Sequence, residues 1–245
     1  MKWFTLGLCL ASSLWVAPAA AQQERVDFRF ALLRYGGNWN PRANGLPRIA
    51  WELRRRTSIA VDMRTAVVDP ADDALFDYPL LFWQGDRAFS PLPEAGINNL
   101  RQHVLRGGTL VVDVSDGVVD GPFHRSVRQQ LKRMFPDQPL QQIPSDHVLY
   151  KSFYLLDRHG GRVMSRPYLT GLFAQSRLAV VVTTNDLAGA VARDAFGAWE
   201  YDVEAGGDRA REMAFRMGIN LVMYALCLDY KEDQVHIPFI LQRRR

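Results

Sequence analysis

Cysteine is nearly absent from this chain of 245 residues, which contains only two. Cys9 lies in an N-terminal segment that we expect to be removed, so the mature protein keeps Cys227 alone and forms no internal disulfide. We place Cys227 on the apolar face of the last predicted helix, where a free cysteine packs as a small hydrophobic side chain. The core must therefore be stable without covalent cross-links.

Recognisable catalytic and cofactor motifs are also lacking. The sequence contains neither a P-loop nor the glycine pattern of dinucleotide-binding proteins, and we assign no cofactor. Ser115 does not lie in a Gly-x-Ser-x-Gly turn, so a serine hydrolase is not indicated. The five histidines show neither His-x-His nor His-Glu-x-x-His spacing, which argues against a structural zinc site. We therefore assign no metal ligand.

The chain has no strong excess of one charge. The sequence pI is about 9.2, but loss of Lys2 with the N-terminal segment leaves 29 basic residues against 26 acidic ones. Three of the arginines are simply the last three residues of the chain. An exported protein rarely meets nucleic acid, so we interpret the basic residues as surface chemistry and predict no nucleic-acid partner.

The one long apolar run is at the N-terminus, and it has the three parts of a secretory signal. Lys2 precedes an apolar stretch over residues 3–16, and alanines at 19–21 follow it. Ser12 and Ser13 interrupt the run and Pro18 follows it, whereas a membrane span needs roughly 20 apolar residues. We expect cleavage after about Ala21, a periplasmic or secreted location, and no transmembrane segment thereafter. Residues 22–245 then form a single α/β domain.

Apolar strand-like runs alternate with helical periodicity along the rest of the chain. Three of the runs are apolar on both faces, as central strands of parallel sheets are. The alternation predicts a three-layer α/β fold with a mostly parallel central sheet and helices on both faces. Residues 136–177 are predicted to be a long irregular excursion. The predicted strands are residues 26–32, 59–63, 79–83, 109–114 and 178–184, and the predicted helices are residues 46–57, 93–106, 122–135 and 208–228, the last capped by Asp208.

Polar residues follow four of the predicted strands. Ligands of open α/β sheets bind beyond the carboxyl ends of the strands, so these residues are candidates for a binding site. Trp199 and Glu200 are added because they lie in a predicted loop, where a tryptophan covers either the core or a ligand. The candidate ligand-binding residues are Arg34, Tyr35, Gly36, Gly37, Gln84, Asp86, Ser115, Asn185, Trp199 and Glu200.

Carboxylates at the strand ends suggest a second, catalytic interpretation. Asp113 and Asp116 lie on or just after one predicted strand, Asp186 follows another, and His124 begins a helix. If these side chains approach one point, they could hold a divalent cation or act as general acid and base. Alternatively, the aspartates only cap helices and end strands. Both interpretations stay open at this point.

Five segments, spread over nearly the whole mature chain, together carry a resemblance to a known family. They are residues 28–37, 51–57, 107–113, 177–187 and 220–226. Together they resemble the bacterial family called domain of unknown function 4159. The resemblance implies a flavodoxin-like sheet of the class I glutamine amidotransferase-like kind. No cysteine occupies a strand end, so amidotransferase activity is not implied. Family members are commonly encoded near MoxR-type ATPases and von Willebrand-type envelope proteins, which implies an assembly setting.

Two functions therefore follow from the sequence. The first is a noncatalytic binding or assembly module of the cell envelope, in which the carboxyl edge of the sheet or the surface at residues 54–56 binds an envelope protein or a small ligand. The alternative is a carboxylate-based hydrolase, assisted by a divalent metal, that uses Asp113, Asp116, His124 and Asp186. The oligomeric state is not predicted.

Overall fold

A computed structural model describes residues 27–204 and 206–227, and its strands form one sheet. The strands are β1 (Ala31–Leu33), β2 (Ala66–Val68), β3 (Leu80–Gly85), β4 (Thr109–Val114), β5 (Gln141–Gln142), β6 (Thr170–Ala174) and β7 (Arg177–Thr183). The helices are α1 (Gly45–Arg56), α2 (Glu94–Leu105), α3 (Pro122–Met134), α4 (Leu187–Val191) and α5 (Gly207–Leu226), with 3₁₀ turns at Asp73–Asp77 and Val148–Lys151.

The sheet has seven strands in the order β2-β1-β3-β4-β7-β6-β5. The first five strands in this order are parallel, and β6 and β5 extend the sheet in antiparallel pairing. Strand β1 lies between β2 and β3. After β1, the chain first adds β2 on one side of it and then returns to add β3 on its other side. In open α/β sheets, such a reversal of strand order is where ligands bind.

The helices cover both faces of the sheet. Helices α1, α4 and α5 share a buried apolar cluster with one face, to which Ile49 and Leu221 belong. Helices α2 and α3 share a second cluster with the opposite face, to which Leu100 and Val127 belong. The three-layer α/β architecture predicted from the sequence is therefore confirmed.

The central strands place several polar side chains at one edge of the sheet. Strands β3 and β4 are buried at every residue, as their continuous apolar sequences predict. Gln84 of β3 is in register with Asp113 of β4, and Asp113 is in register with Thr183 of β7. We call the region where β1, β3, β4 and β7 end the carboxyl edge.

Some predicted elements differ from the structure. The predicted strand at residues 59–63 contributes only a single bridge, between Val61 and Phe28, and the second strand is β2 instead. The predicted excursion at residues 136–177 contains β5 and β6, of which β6 pairs with β7 and β5 pairs with β6. Strand β5 has only two residues, both exposed, which is too few to show an alternating pattern. Helix α4 was not predicted, because five residues are too few to show helical periodicity.

The last helix begins and ends slightly earlier than predicted. Gly206, at φ 87°, is its N-cap and Asp208 lies in its first turn, so the predicted Asp208 cap is wrong. Cys227 follows the helix and is half-buried rather than part of the core. Leu228 lies outside the described residues. Within the described ranges, no helix is both long enough and apolar enough to cross a membrane.

Candidate functional site

Asp186 is the centre of a group of polar side chains at the carboxyl edge. Its side chain is fully buried, and its backbone takes the left-handed conformation, with φ 51°, at the N-cap of α4. The carboxylate accepts hydrogen bonds from the backbone N–H of Gly189 at 3.0 Å, from Arg42 Nη2 at 2.8 Å and from Arg162 Nε. Arg42 Nη2 also donates to the backbone oxygen of Ser115 at 2.7 Å. The group thus ties together the loops that follow β1, β4 and β7.

Asp113 is the second buried carboxylate of this group, which we call the Arg–Asp cluster (Arg42, Asp113, Arg162 and Asp186). Its two oxygens accept the backbone N–H groups of Leu187 and Ala188, each at 2.8 Å. Burial and the nearby negative charge of Asp186 raise the pKa of Asp113 to about 7, although the two N–H bonds and Arg42 act in the opposite direction. Asp113 and Asp186 therefore both cap the N-terminus of α4.

Arg42 is held in place by an aromatic ring as well as by carboxylate. Its guanidinium lies 4.1 Å from the ring centre of Tyr201. Burial opposes the charge, but the hydrogen bonds and attraction to Asp186 outweigh it and raise the pKa of Arg42 above its ordinary value. Arg42 therefore stays charged, and from its partly buried position it neutralises the fully buried carboxylate of Asp186.

The loop containing Trp199 covers the core. The centre of the Trp199 ring lies 3.8 Å from the guanidinium carbon of Arg193 and 4.3 Å from that of Arg211. Arg211 also donates to the backbone oxygens of Ala190 and Tyr201, so it joins this loop to α4. Trp199 packs against the cluster that α5 buries, which agrees with the core interpretation of this tryptophan. Its neighbour Glu200 accepts a hydrogen bond from Asn44.

The ends of β1 and β3 are joined by separate hydrogen bonds. The hydroxyl of Tyr35 donates to the backbone oxygen of Gln84 at 2.7 Å, and burial together with Asp86 raises the pKa of Tyr35. Asn38 Nδ2 donates to Asp86 at 2.8 Å. The Gln84 side chain is fully buried, and its amide oxygen and nitrogen have no partner in the described part of the chain. The candidates Arg34, Gly36 and Gly37 are exposed beside these groups.

Asn185 fixes the loop over residues 159–166 against the end of β7. Its amide nitrogen donates to the backbone oxygen of Arg166 at 2.8 Å and lies 3.0 Å from His159 Nε2. A methyl group on Gly161 would lie 2.1 Å from the backbone oxygen of Asn185, so only glycine fits there. Burial lowers the pKa of His159 to about 4, which keeps its imidazole neutral at pH 7.

The structure brings together only part of the predicted catalytic set. Asp113 and Asp186 are neighbours, while Asp116 is half-buried and accepts the backbone N–H of Val118 in a turn. His124 lies on α3, on the face of the sheet opposite α4, and its Nδ1 accepts the N–H of Asp120 at 3.0 Å. In residues 27–204 and 206–227, no three His, Cys, Asp or Glu side chains are grouped to hold a metal ion.

Sequence reasoning missed the two arginines of the Arg–Asp cluster. Arg42 follows an Asn-Pro pair, and Arg162 follows two glycines, so both look like ordinary loop residues. The signal that could have found them is indirect: a carboxylate buried at a strand end needs a cation nearby. Arg42 is 144 residues from Asp186, so no short pattern connects the two.

These features define a three-layer α/β domain whose strand-end loops are joined by buried arginine–aspartate pairs. The family model described as Domain of unknown function (DUF4159) matches residues 29–226, so the chain belongs to that family. The matched residues include every strand and helix described above. A search of curated proteins finds no match.

Proposed function

We propose that the protein is a noncatalytic binding or assembly module of the cell envelope that binds its partner at the carboxyl edge. The observation that carries this proposal is the mutual bonding of the strand-end loops. The Arg–Asp cluster joins three of them, and Asn38 and Asp86 join the loops after β1 and β3. A surface that is already ordered loses little conformational entropy when a partner binds.

The exposed part of this edge carries both charge and apolar surface. We call Arg34, Arg87 and Val118 the edge rim. Both arginines are exposed, and Val118 is 50 % exposed. Asp86, which forms an ion pair with Arg87, and Asp116 are half-buried at the same edge. Arginine is enriched in protein interfaces, which favours an envelope protein as the partner.

The arginines at residues 54–56 are a weaker candidate surface. Buried Glu52 accepts hydrogen bonds from Arg48, Arg55 and Arg56. Arg56 also binds Glu212 through both of its terminal nitrogens. Much of the positive charge there is therefore used inside the protein, so we favour the edge rim.

One observation favours the hydrolase alternative. The raised pKa of Asp113, about 7, is suited to a general acid or base. However, both of its oxygens are occupied by N–H groups of α4, and the side chain is fully buried. A substrate could reach it only if α4 moved, so the binding function is better supported.

Photo-crosslinking in living cells tests the binding function. A photoreactive amino acid is placed at each edge-rim position and, as controls, at Gln102 and Arg106, which are exposed at the opposite edge of the sheet. We expect the same discrete protein adduct from at least two rim positions and none from the controls. Adducts from neither group, or equally from both, would contradict the proposal.

Two further measurements test the setting and the alternative. Fractionation and mass spectrometry should find mature protein beginning at about Gln22 in the envelope or periplasmic fraction, and a cytoplasmic chain that retains Met1 would contradict an envelope role. Melting of the purified protein should not change with divalent cations. A rise in Tm that Asp113→Asn abolishes would favour the hydrolase, because a ligand of the folded state stabilises it.

A further inference from the structure

A groove of about 500 Å³ lies beside α3, on the face of the sheet opposite the Arg–Asp cluster. It is bordered by α3, by the segment that follows α3 and by β6. Its apolar lining includes Leu131, Phe135 and Leu172. The volume lies within the usual range for pockets that bind small organic molecules.

Cations predominate in the lining of this groove. Arg128, Lys132 and Arg166 contribute positive charge, and Asp137 is the one acidic residue among the lining side chains. Arg128 uses one terminal nitrogen to bind Asp120 at 2.6 Å, which leaves its other N–H groups available. The groove therefore carries a net positive charge beside an apolar surface.

His124 adds a hydrogen-bond donor for which the described part of the chain supplies no acceptor. The residue is 2 % exposed and lines the groove. Its Nδ1 accepts the backbone N–H of Asp120 at 3.0 Å, so the hydrogen of the neutral ring is on Nε2. Nε2 is buried and makes no hydrogen bond to any described residue. A buried donor without an acceptor is costly, and an oxygen of a bound ligand would satisfy it.

We propose that this groove binds a small organic anion whose oxyanion group contacts Arg128, Arg166 and His124 and whose apolar body packs on Leu131 and Leu172. Guanidinium groups bind phosphate and carboxylate oxygens with two parallel hydrogen bonds, which suits an oxyanion. The apolar lining distinguishes such a ligand from inorganic phosphate. The site goes beyond the proposed partner surface, because it lies on another part of the molecule and needs no partner protein.

Calorimetric titration of the purified protein tests this site with phenyl phosphate, hexanoate, inorganic phosphate and phenol. We expect phenyl phosphate or hexanoate to bind at least tenfold more tightly than both inorganic phosphate and phenol. Failure of both organic anions to bind would overturn the proposal. Equal binding of inorganic phosphate would overturn the role of the apolar surface, and equal binding of phenol would overturn the role of the cations.

A matched pair of variants locates the binding. Arg166→Gln removes a cation of the groove, and Arg101→Gln removes an exposed cation on α2 that does not line it. We expect Arg166→Gln to weaken binding of the organic anion about tenfold or more, and Arg101→Gln to leave it unchanged. Equal weakening by the two variants would overturn the assignment.

An NMR titration tests His124 without altering the protein. The Nε2–H signal of His124 should shift as the organic anion is added, because that hydrogen acquires an acceptor. An unchanged signal at saturation would overturn the role of His124. These measurements use purified protein and small molecules, so their failure is distinguishable from failure of crosslinking at the edge rim.

Discussion

Asp113 and Asp186 place two carboxylates in a region of the protein that water does not reach. Burial of an ionised carboxylate is strongly unfavourable unless cations and hydrogen-bond donors compensate it. Arg42 and Arg162 compensate Asp186, whereas the N–H groups of α4 compensate Asp113. At the scale of single residues, stability therefore depends on keeping these partners together.

Asp186→Asn tests this dependence. The substitution removes the negative charge that Arg42 and Arg162 share, and it leaves Arg162 with the longer, more exposed pair to Glu204 at 3.5 Å. We expect the free energy of unfolding to fall by about 3–5 kcal/mol, the usual cost of breaking a buried ion pair. Urea unfolding monitored by circular dichroism measures this. Asp116→Asn is the control, because Asp116 is half-buried and only stabilises a turn, and its cost should stay below about 1 kcal/mol.

The buried histidines predict loss of stability in acid. Burial lowers the pKa values of His103 and His159 to about 4 each, so the unfolded chain binds more protons than the folded one between about pH 6.5 and pH 4. Their contribution to stability is complete above about pH 6.5 and is lost as the pH falls through this range. Asp113, whose pKa is raised, has the opposite effect on stability. Its contribution is present below about pH 4 and is lost as the pH rises from about 4 to 7.

Comparison of the wild type with His159→Gln isolates one histidine, because Asp113 is common to both proteins. Glutamine keeps a hydrogen-bonding group for Asn185 but does not titrate. The wild type should lose about 2 kcal/mol more than the variant between about pH 6.5 and pH 4.5. Urea unfolding at the two pH values measures the difference, and identical losses would contradict the role of His159.

At the scale of helices and strands, α4 depends on its neighbours. It has only five residues, too few to be stable alone, and it is capped by two buried aspartates. Its Ala188 also packs closely against the beginning of α1, where a methyl group on Gly45 would lie 2.6 Å from Ala188 Cβ and 2.7 Å from its backbone oxygen. The position of α4 therefore requires a residue without a side chain at Gly45.

Gly45→Ala tests this contact. Because backbone as well as side-chain atoms must move, we expect a cost of about 1–3 kcal/mol. Gly36→Ala is a matched control, since a methyl group at Gly36 would meet no heavy atom within 4 Å, and its effect should be below about 0.5 kcal/mol. Thermal melting of the two variants compares them. Equal effects would show that the α1–α4 contact can relax without cost.

The elements that could be predicted from the sequence are those with long, regular patterns. Strand β4 and helix α3 match their predicted ranges closely, because each has enough residues to show its period. Strand β2 has three residues, one of them the exposed Val67, and α4 is formed by tertiary contacts. Such elements leave almost no periodicity, so their prediction requires knowledge of the neighbours.

The residues of the candidate site also fall into those that the sequence could predict and those that it could not. Asp113 and Asp186 could be identified as candidates from their places at strand ends, and in the structure their carboxylates lie close together. Arg42 and Arg162 could not be identified, because their partner Asp186 is 144 and 24 residues away along the chain. The groove beside α3 was also missed, since β6, which forms one of its walls, lies inside the predicted excursion.

At the scale of the whole molecule, the sheet is most protected at its centre. Strands β3 and β4 are buried at every residue and paired on both sides, while β5 is exposed and lies at one edge. Backbone amides of the central strands should exchange with solvent only on global unfolding.

Hydrogen exchange measured by mass spectrometry tests this gradient. Peptides that cover β3, β4 and β7 should exchange most slowly, and those that cover β5 should exchange fastest among the strands. Exchange of β5 as slow as that of β4 would contradict the gradient.

The sheet order also has a consequence for incomplete chains. Strand β7 comes late in the sequence but pairs with β4 at the centre of the sheet. A fragment that ends before β7 would leave Leu110, Val111 and Val112 on an open, apolar strand edge, which other chains can extend by backbone pairing. Truncated products should therefore aggregate rather than persist as folded fragments.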